Sequence, residues 1–226
     1  MATSFDWKTQ PLHRVAADHP VGTPGGKFPD PDLGTDRIPA ARYTSADYMR
    51  REWERLWRKV WLIGPREELM LEAGDWVSHE IGTESFIFAR QADGDIKGFF
   101  NVCPHRGNRL VPKDASGFSN SFRCSYHHWE WQTDGALKNI PDRETFPQLQ
   151  GACALGLKEV RTDTWGGFFW FTMNRDGPAF RDYMGVIPAH LDPYRFEDMK
   201  LIDWKTIRWD CNWKTRSEER RVGKEC

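Results

Sequence analysis

Residues 101–110 read "NVCPHRGNRL" and residues 122–131 read "FRCSYHHWEW". The first stretch sets Cys103 two positions before His105, the second sets Cys124 three positions before His127, and eighteen residues lie between His105 and Cys124. A thiolate is a soft donor and a neutral imidazole a borderline one, so these four side chains suit zinc or iron and not the hard cations, which want oxygen. In a structural zinc finger the two cysteines usually share one turn and the two histidines a helix. Here each stretch brings one of each kind, in text that reads as hairpins. That order suits two sulfide-bridged irons, one taking both cysteines and the other both histidines. A disulfide between Cys103 and Cys124, or a structural zinc module, is the plainer alternative.

Outward from these loops the pattern is one of short apolar runs between turns. "DWVSHEI" (75–81), "ESFIFAR" (84–90), "IKGFFNV" (96–102), "GACALGLKEV" (151–160) and "WGGFFWFTM" (165–173) are expected to be strands. Asp93-Gly94 and Asp134-Gly135 are turn dipeptides that tolerate positive φ and close hairpins. The region from Trp61 to Thr172 therefore predicts an antiparallel all-β module. Before it, Met49, Trp53, Leu56, Trp57 and Val60 recur at helical spacing behind a cap at Thr44 or Ser45, which predicts one amphipathic helix. Earlier still, residues 19–39 are too rich in Pro, Gly and Asp for helix or strand and read as an arm or linker. After Met173 a turn, a short helix and a strand from about Leu201 are expected.

The bulk numbers set limits on partners. With 32 Lys and Arg against 33 Asp and Glu, no overall field recruits nucleic acid or an anionic membrane. No stretch approaches a membrane span and the start lacks a signal peptide, which predicts a cytoplasmic protein. Five cysteines in no framework spacing fit a reducing compartment. Twelve tryptophans and fourteen phenylalanines predict a core built from rings.

The sequence resembles Rieske oxygenases, specifically the N-terminal part of the large (alpha) subunit of aromatic-ring-hydroxylating dioxygenases. "CPHRGNRL" is similar to the family's first loop, "CSYHHW" to its second, "IPDRETFP" to the segment after it, "RTDTWGGFFWF" to its closing strands and "DCNWK" to the start of its catalytic domain, together covering residues 43–214. The resemblance implies a Rieske [2Fe-2S] cluster on Cys103, His105, Cys124 and His127. The loop spacing is slightly long for the family, and His128 stands where a glycine is common, so His127 and His128 compete; the family spacing favours His127. High-potential Rieske proteins carry a further cysteine in each loop, and here those places hold Asn108 and Tyr126, which implies the lower-potential oxygenase type. Backbone amides near Gly107 and His128 are expected to donate to the sulfurs. Trp129 and Trp131 are candidates to shield the cluster, and Arg106 and Arg109 to dock an acidic electron donor.

The implied architecture is mainly β, α+β overall: residues 1–59 an arm and helix, 60–172 an antiparallel β-sandwich Rieske domain, and 173–215 the truncated start of an α+β catalytic domain. Residues 216–226, "RSEERRVGKEC", with seven charged of eleven, resemble translated vector sequence and are expected to be a non-native tail. The family passes electrons from a reductase or ferredoxin to a mononuclear Fe(II) on two histidines and a carboxylate. That iron is expected only in the full-length protein, as a homotrimer or with a small subunit. A stand-alone Rieske ferredoxin is the second reading; the long helix and "DCNWK" favour the oxygenase. Substrate is not legible.

Overall fold

The run from Ser85 to Ala89 leaves no polar face for water, so both sides of its strand must be covered. In the computed structural model, which describes residues 37–149 and 155–216, this run is the centre of β3 (Glu84–Arg90). Phe86 and Phe88 enter one core, Ile87 and Ala89 another, and all four are fully buried, as strand alternation requires. Beside β3 lie β2 (Asp75–Ile81) and β4 (Ile96–Phe100). The sheet is completed by β1 (Leu62–Arg66), β5 (Ser116–Phe118), β9 (Glu159–Trp165) and β10 (Phe168–Thr172), in the order β1-β10-β9-β4-β3-β2-β5, antiparallel throughout.

This sheet curls. Two strands separate β10 from β3, which in a flat sheet would put them about 14 Å apart, yet Phe169 and Phe88 have ring centroids 4.4 Å apart and Phe171 and Phe86 5.0 Å. The rings fill the concave side. Gly98 makes room for them, since a Cβ there would stand 2.6 Å from the Phe88 ring and 2.8 Å from Val160. A second sheet, β6 (Ser121–Arg123), β7 (Glu130–Gln132) and β8 (Leu137–Asn139), packs on the opposite face through Phe122, Trp129 and Trp131 against Ile87, Ala89 and Phe99. The expected β-sandwich, mainly β, is what forms.

Several local expectations change. The Asp93-Gly94 and Asp134-Gly135 turns close β3–β4 and β7–β8, with Gly94 and Gly135 at φ +93° and +85°. "WGGFFWFTM" is not one strand: Gly166 and Gly167, both at positive φ, form the two-residue hairpin turn between β9 and β10, the geometry that suits the strand twist. The strand expected over 151–160 begins at Glu159, residues 151–154 lying outside the described residues. The single helix is broken: α1 (Ala41–Thr44) stops at extended Ser45, whose hydroxyl accepts from Tyr48 N to cap α2 (Ala46–Glu52), and Trp53–Trp57 widens into a π turn. The widening leaves Leu56 exposed while Trp57 and Val60 still pack on the curled sheet's core. Helices α3 (Phe180–Met184) and α4 (Ile187–Leu191) follow the sheet, but residues 201–209 join no strand. The arm up to residue 36 and the tail after residue 216 lie outside the described residues.

"DCNWK" does return to the helical segment. Trp213 packs edge-on against Trp57 at 5.1 Å, and Lys214 Nζ lies 2.8 and 2.9 Å from the two carboxylate oxygens of Glu52. The two elements that favoured the oxygenase reading are therefore packed on each other.

One histidine of the sheet makes stability sensitive to pH. His79 on β2 meets Phe171 edge-on at 5.9 Å, and burial holds its pKa below the ordinary 6.5 against the opposing pull of Asp114 and Glu80. As pH falls below 6.5, the unfolded chain takes up a proton that the native state resists, so stability drops. Urea unfolding at pH 7.5 and 5.5 is expected to show a larger acid loss in wild type than in His79→Phe. Equal losses would show that His79 contributes nothing to the dependence.

Candidate metal centre

The two loops are built alike. Cys103 N donates to Asn108 O at 2.7 Å and Cys124 N to Trp129 O at 2.8 Å, each five residues on. Gly107 N donates to Cys103 O at 2.9 Å and His128 N to Cys124 O at 3.0 Å, each four residues on. The fourth residue has positive φ in both, +73° at Gly107 and +57° at His128. This left-handed turn is easy for glycine and explains why one was expected at 128. It also places the expected sulfur donors beside these two residues. The Gly107 and His128 amides serve carbonyls, and the amides facing the sulfurs are those of His105 and Arg106 at Cys103, and of Tyr126 and His127 at Cys124.

The side chains converge from these turns. Cys103 and Cys124 are free thiols, 2% and 1% exposed, close enough to hydrogen-bond to each other. Burial pushes the Cys103 thiol up; at Cys124 burial pushes the same way but is outweighed by the Tyr126 and His127 amides, Asn108 and Cys103, so its thiol lies below the ordinary value. The His105 and His127 rings stand 4.6 Å apart. In both, Nδ1 is buried without a hydrogen-bond partner, which costs free energy unless something binds it. Desolvation, with His127 and Arg106 nearby, keeps His105 below its ordinary pKa and hence neutral and able to ligate. His128 is exposed.

Two thiols and two orphaned imidazole nitrogens are a donor set that fits iron or zinc. They lie in two like pairs, thiol beside thiol and imidazole beside imidazole.

One side of the site is covered by rings. Trp129, 4% exposed, stacks on His105 at 4.7 Å with rings 3° apart, and Phe146 closes on both edge-on. Trp131 lies behind, fully buried, its indole N–H on Leu155 O. Arg109 pairs with Glu80 at 3.4 Å, while Arg106 is exposed. Asn101 is a residue of this loop that motif spacing does not single out. It is 4% exposed and its side chain donates to Ser85 Oγ at 3.0 Å and Val111 O at 2.9 Å, and accepts from Leu110 N and Val111 N at 3.0 Å. It thus ties the start of the first loop to its end. The one signal was a lone amide side chain closing the apolar run "IKGFFN" directly before Val102-Cys103.

Comparison with known proteins gives this geometry a family. Residues 60–152 match the family model described as the Rieske [2Fe-2S] domain. The chain carries a Rieske domain. Around that Rieske domain it is 35% identical over 149 residues to the large oxygenase component of a naphthalene 1,2-dioxygenase system from Pseudomonas aeruginosa, covering 65% of this chain and 33% of that protein. It is 30% identical over 195 residues to biphenyl 2,3-dioxygenase subunit alpha of Rhodococcus jostii (strain RHA1), covering 83% and 42%. Naphthalene 1,2-dioxygenase from Rhodococcus sp. bound to indole superimposes with a TM-score of 0.63 at 26% identity, over 69% of this chain and 36% of that one. The quaternary ammonium Rieske monooxygenase CntA shares the fold, with a TM-score of 0.74 at 22% identity over 80% and 53%. The resemblance to the N-terminal part of Rieske oxygenase large subunits is borne out, and the chain spans about a third to two-fifths of the curated relatives' length.

Proposed function

We propose that residues 60–172 are the electron-transfer unit of an aromatic-ring-hydroxylating oxygenase large subunit, and that Cys103, His105, Cys124 and His127 hold its [2Fe-2S] cluster. The observation that carries this reading is the pairing of two buried thiols with two buried, unpartnered Nδ1 atoms on like-built loops. A bound cluster of this type supplies one-electron transfer. The protein's own part is to cradle each sulfur with two backbone amides, to hold the His105 ring flat against Trp129, and to cover one side of the site with Trp129 and Phe146. The docking of Trp213 and Lys214 on the helical segment supports the oxygenase reading over a stand-alone ferredoxin, as do the large-subunit relatives.

In this reading residues 173–215 begin a catalytic domain, a reductase or ferredoxin supplies electrons in the cytoplasm, and the full-length protein assembles as a homotrimer or with a small subunit. Arg106, exposed beside the first loop, is suited to an acidic donor. No helix among the described residues is long and apolar enough to cross a membrane. Anaerobic reconstitution tests the reading: the expected product is brown, with two irons and two sulfides per chain and a reduced-state EPR signal of mixed nitrogen and sulfur ligation. Colourless protein with stoichiometric zinc, after iron and sulfide had failed to load, would overturn it.

Oxygen activation requires a further iron with open positions, in this family on two histidines and a carboxylate. Residues 173–226 contain one histidine, His190, and taking His105 or His127 would dismantle the cluster. The reconstituted 226-residue chain, given ferrous iron and an NADH-driven reductase, is therefore expected to accept an electron without hydroxylating aromatic substrates. Product detected by mass spectrometry after free iron is removed would show an active site within these residues.

A further inference from the structure

Asn108 touches the surroundings of both cysteines. Its main-chain carbonyl accepts the Cys103 N–H at 2.7 Å, and its side-chain amide nitrogen lies 3.6 Å from Cys124 Sγ on the opposite loop. The same nitrogen reaches Ser125 Oγ at 3.2 Å and Arg109 O at 3.0 Å. An amide has two N–H groups, so three acceptors share them, and Cys124 Sγ is the one that carries negative charge as a thiolate. The residue is half-buried, which limits competition from water.

We infer that the Asn108 amide is a donor to the Cys124 sulfur that raises the reduction potential of the cluster, in the place where high-potential relatives of the domain would carry a disulfide cysteine. This rests on the reading of Cys124 as a cluster ligand. Adding an electron makes the cluster and its sulfurs more negative, so any N–H aimed at a sulfur stabilises the reduced form more than the oxidised form. The Tyr126 and His127 amides act in the same sense on Cys124, but they belong to the main chain and do not change with the side chains they carry. Asn108 is a donor that a side-chain substitution can remove, which the main-chain amides are not.

The test is redox titration of the reconstituted protein, followed by EPR, on wild type and Asn108→Leu. Loss of one such hydrogen bond is expected to lower the equilibrium constant for reduction about three- to tenfold, tenfold being about 59 mV for one electron. Iron and sulfide content and melting temperature should stay near wild type, a pattern that a purely structural role would reverse. An unchanged potential in a fully loaded variant overturns the inference. Should Asn108→Leu fail to fold or load, wild type grown with asparagine labelled with 15N at Nδ2 gives the answer: pulsed EPR of the reduced protein should show a coupled nitrogen, and its absence overturns the inference equally. Wild-type protein that takes up no cluster overturns the underlying ligand reading, and this inference with it.

Discussion

His127→Ala is expected to abolish the iron–sulfur centre, whereas His128→Ala and His128→Gly should retain it. The two histidines are neighbours in sequence and opposites in placement. His127 turns inward, its Nδ1 buried and unpartnered and its ring 4.6 Å from that of His105. His128 is exposed, and its role is that of its backbone, at φ +57° with its N–H on Cys124 O. Removing His127 leaves one iron a ligand short, and a cluster missing a protein ligand is not expected to survive purification. His128→Gly, by contrast, relieves a side chain at positive φ and is expected to stabilise the fold by about 0.5–1 kcal/mol. Iron and sulfide analysis, the visible spectrum and urea unfolding of the three variants give the comparison. Loss of the centre in His128→Ala with its survival in His127→Ala would reverse the assignment.

The ligand loops were legible because their chemistry lies in side chains at short spacing. Cys103, His105 and Cys124 stand out by residue type, whereas His127 is separated from His128 only by the family's spacing, and the loop turns are announced by Gly107 and by the departure at His128. Strands β2 and β3 were legible to the residue, since alternation and flanking turns agree over 75–81 and 84–90. What failed was backbone geometry that residue type does not encode. The cap expected at Thr44 or Ser45 is Ser45, but nothing in "YMRREWERLW" shows that the turn at Trp53 widens to π; the apolar stripe is the same for either. The Gly166-Gly167 turn was hidden inside a run of aromatic residues that reads as one strand. Long-range polar contacts were out of reach for another reason. Asn101 bonds to Ser85 across 16 residues, and Asn108 to Cys124 across 16, and only the fold makes those pairs neighbours.

Asn101→Leu is expected to cost about 3 kcal/mol or more and to empty the metal centre, although Asn101 is no candidate ligand. Leucine matches the volume but strips partners from Leu110 N, Val111 N and Val111 O, two of them at a buried residue. Each orphaned buried group costs about 1–3 kcal/mol. The loss reaches further, because Asn101 stands in a chain of contacts. Its amide donates to Ser85 Oγ, the Ser85 hydroxyl donates to Glu80, and Glu80 pairs with Arg109 beside Leu110. The chain therefore leaves the loop at residue 101 and re-enters it at 109–111, holding closed the segment that carries Cys103, His105 and Asn108. Arg109→Ala cuts the same chain at its exposed end, where a screened ion pair contributes at most about 1 kcal/mol, so it should leave cluster content near wild type. Thermal unfolding and iron content of the two variants separate the cases. Full cluster loading in Asn101→Leu would show that the loop is held by its own turn and the sheet alone, and that the buried amide merely fills its site.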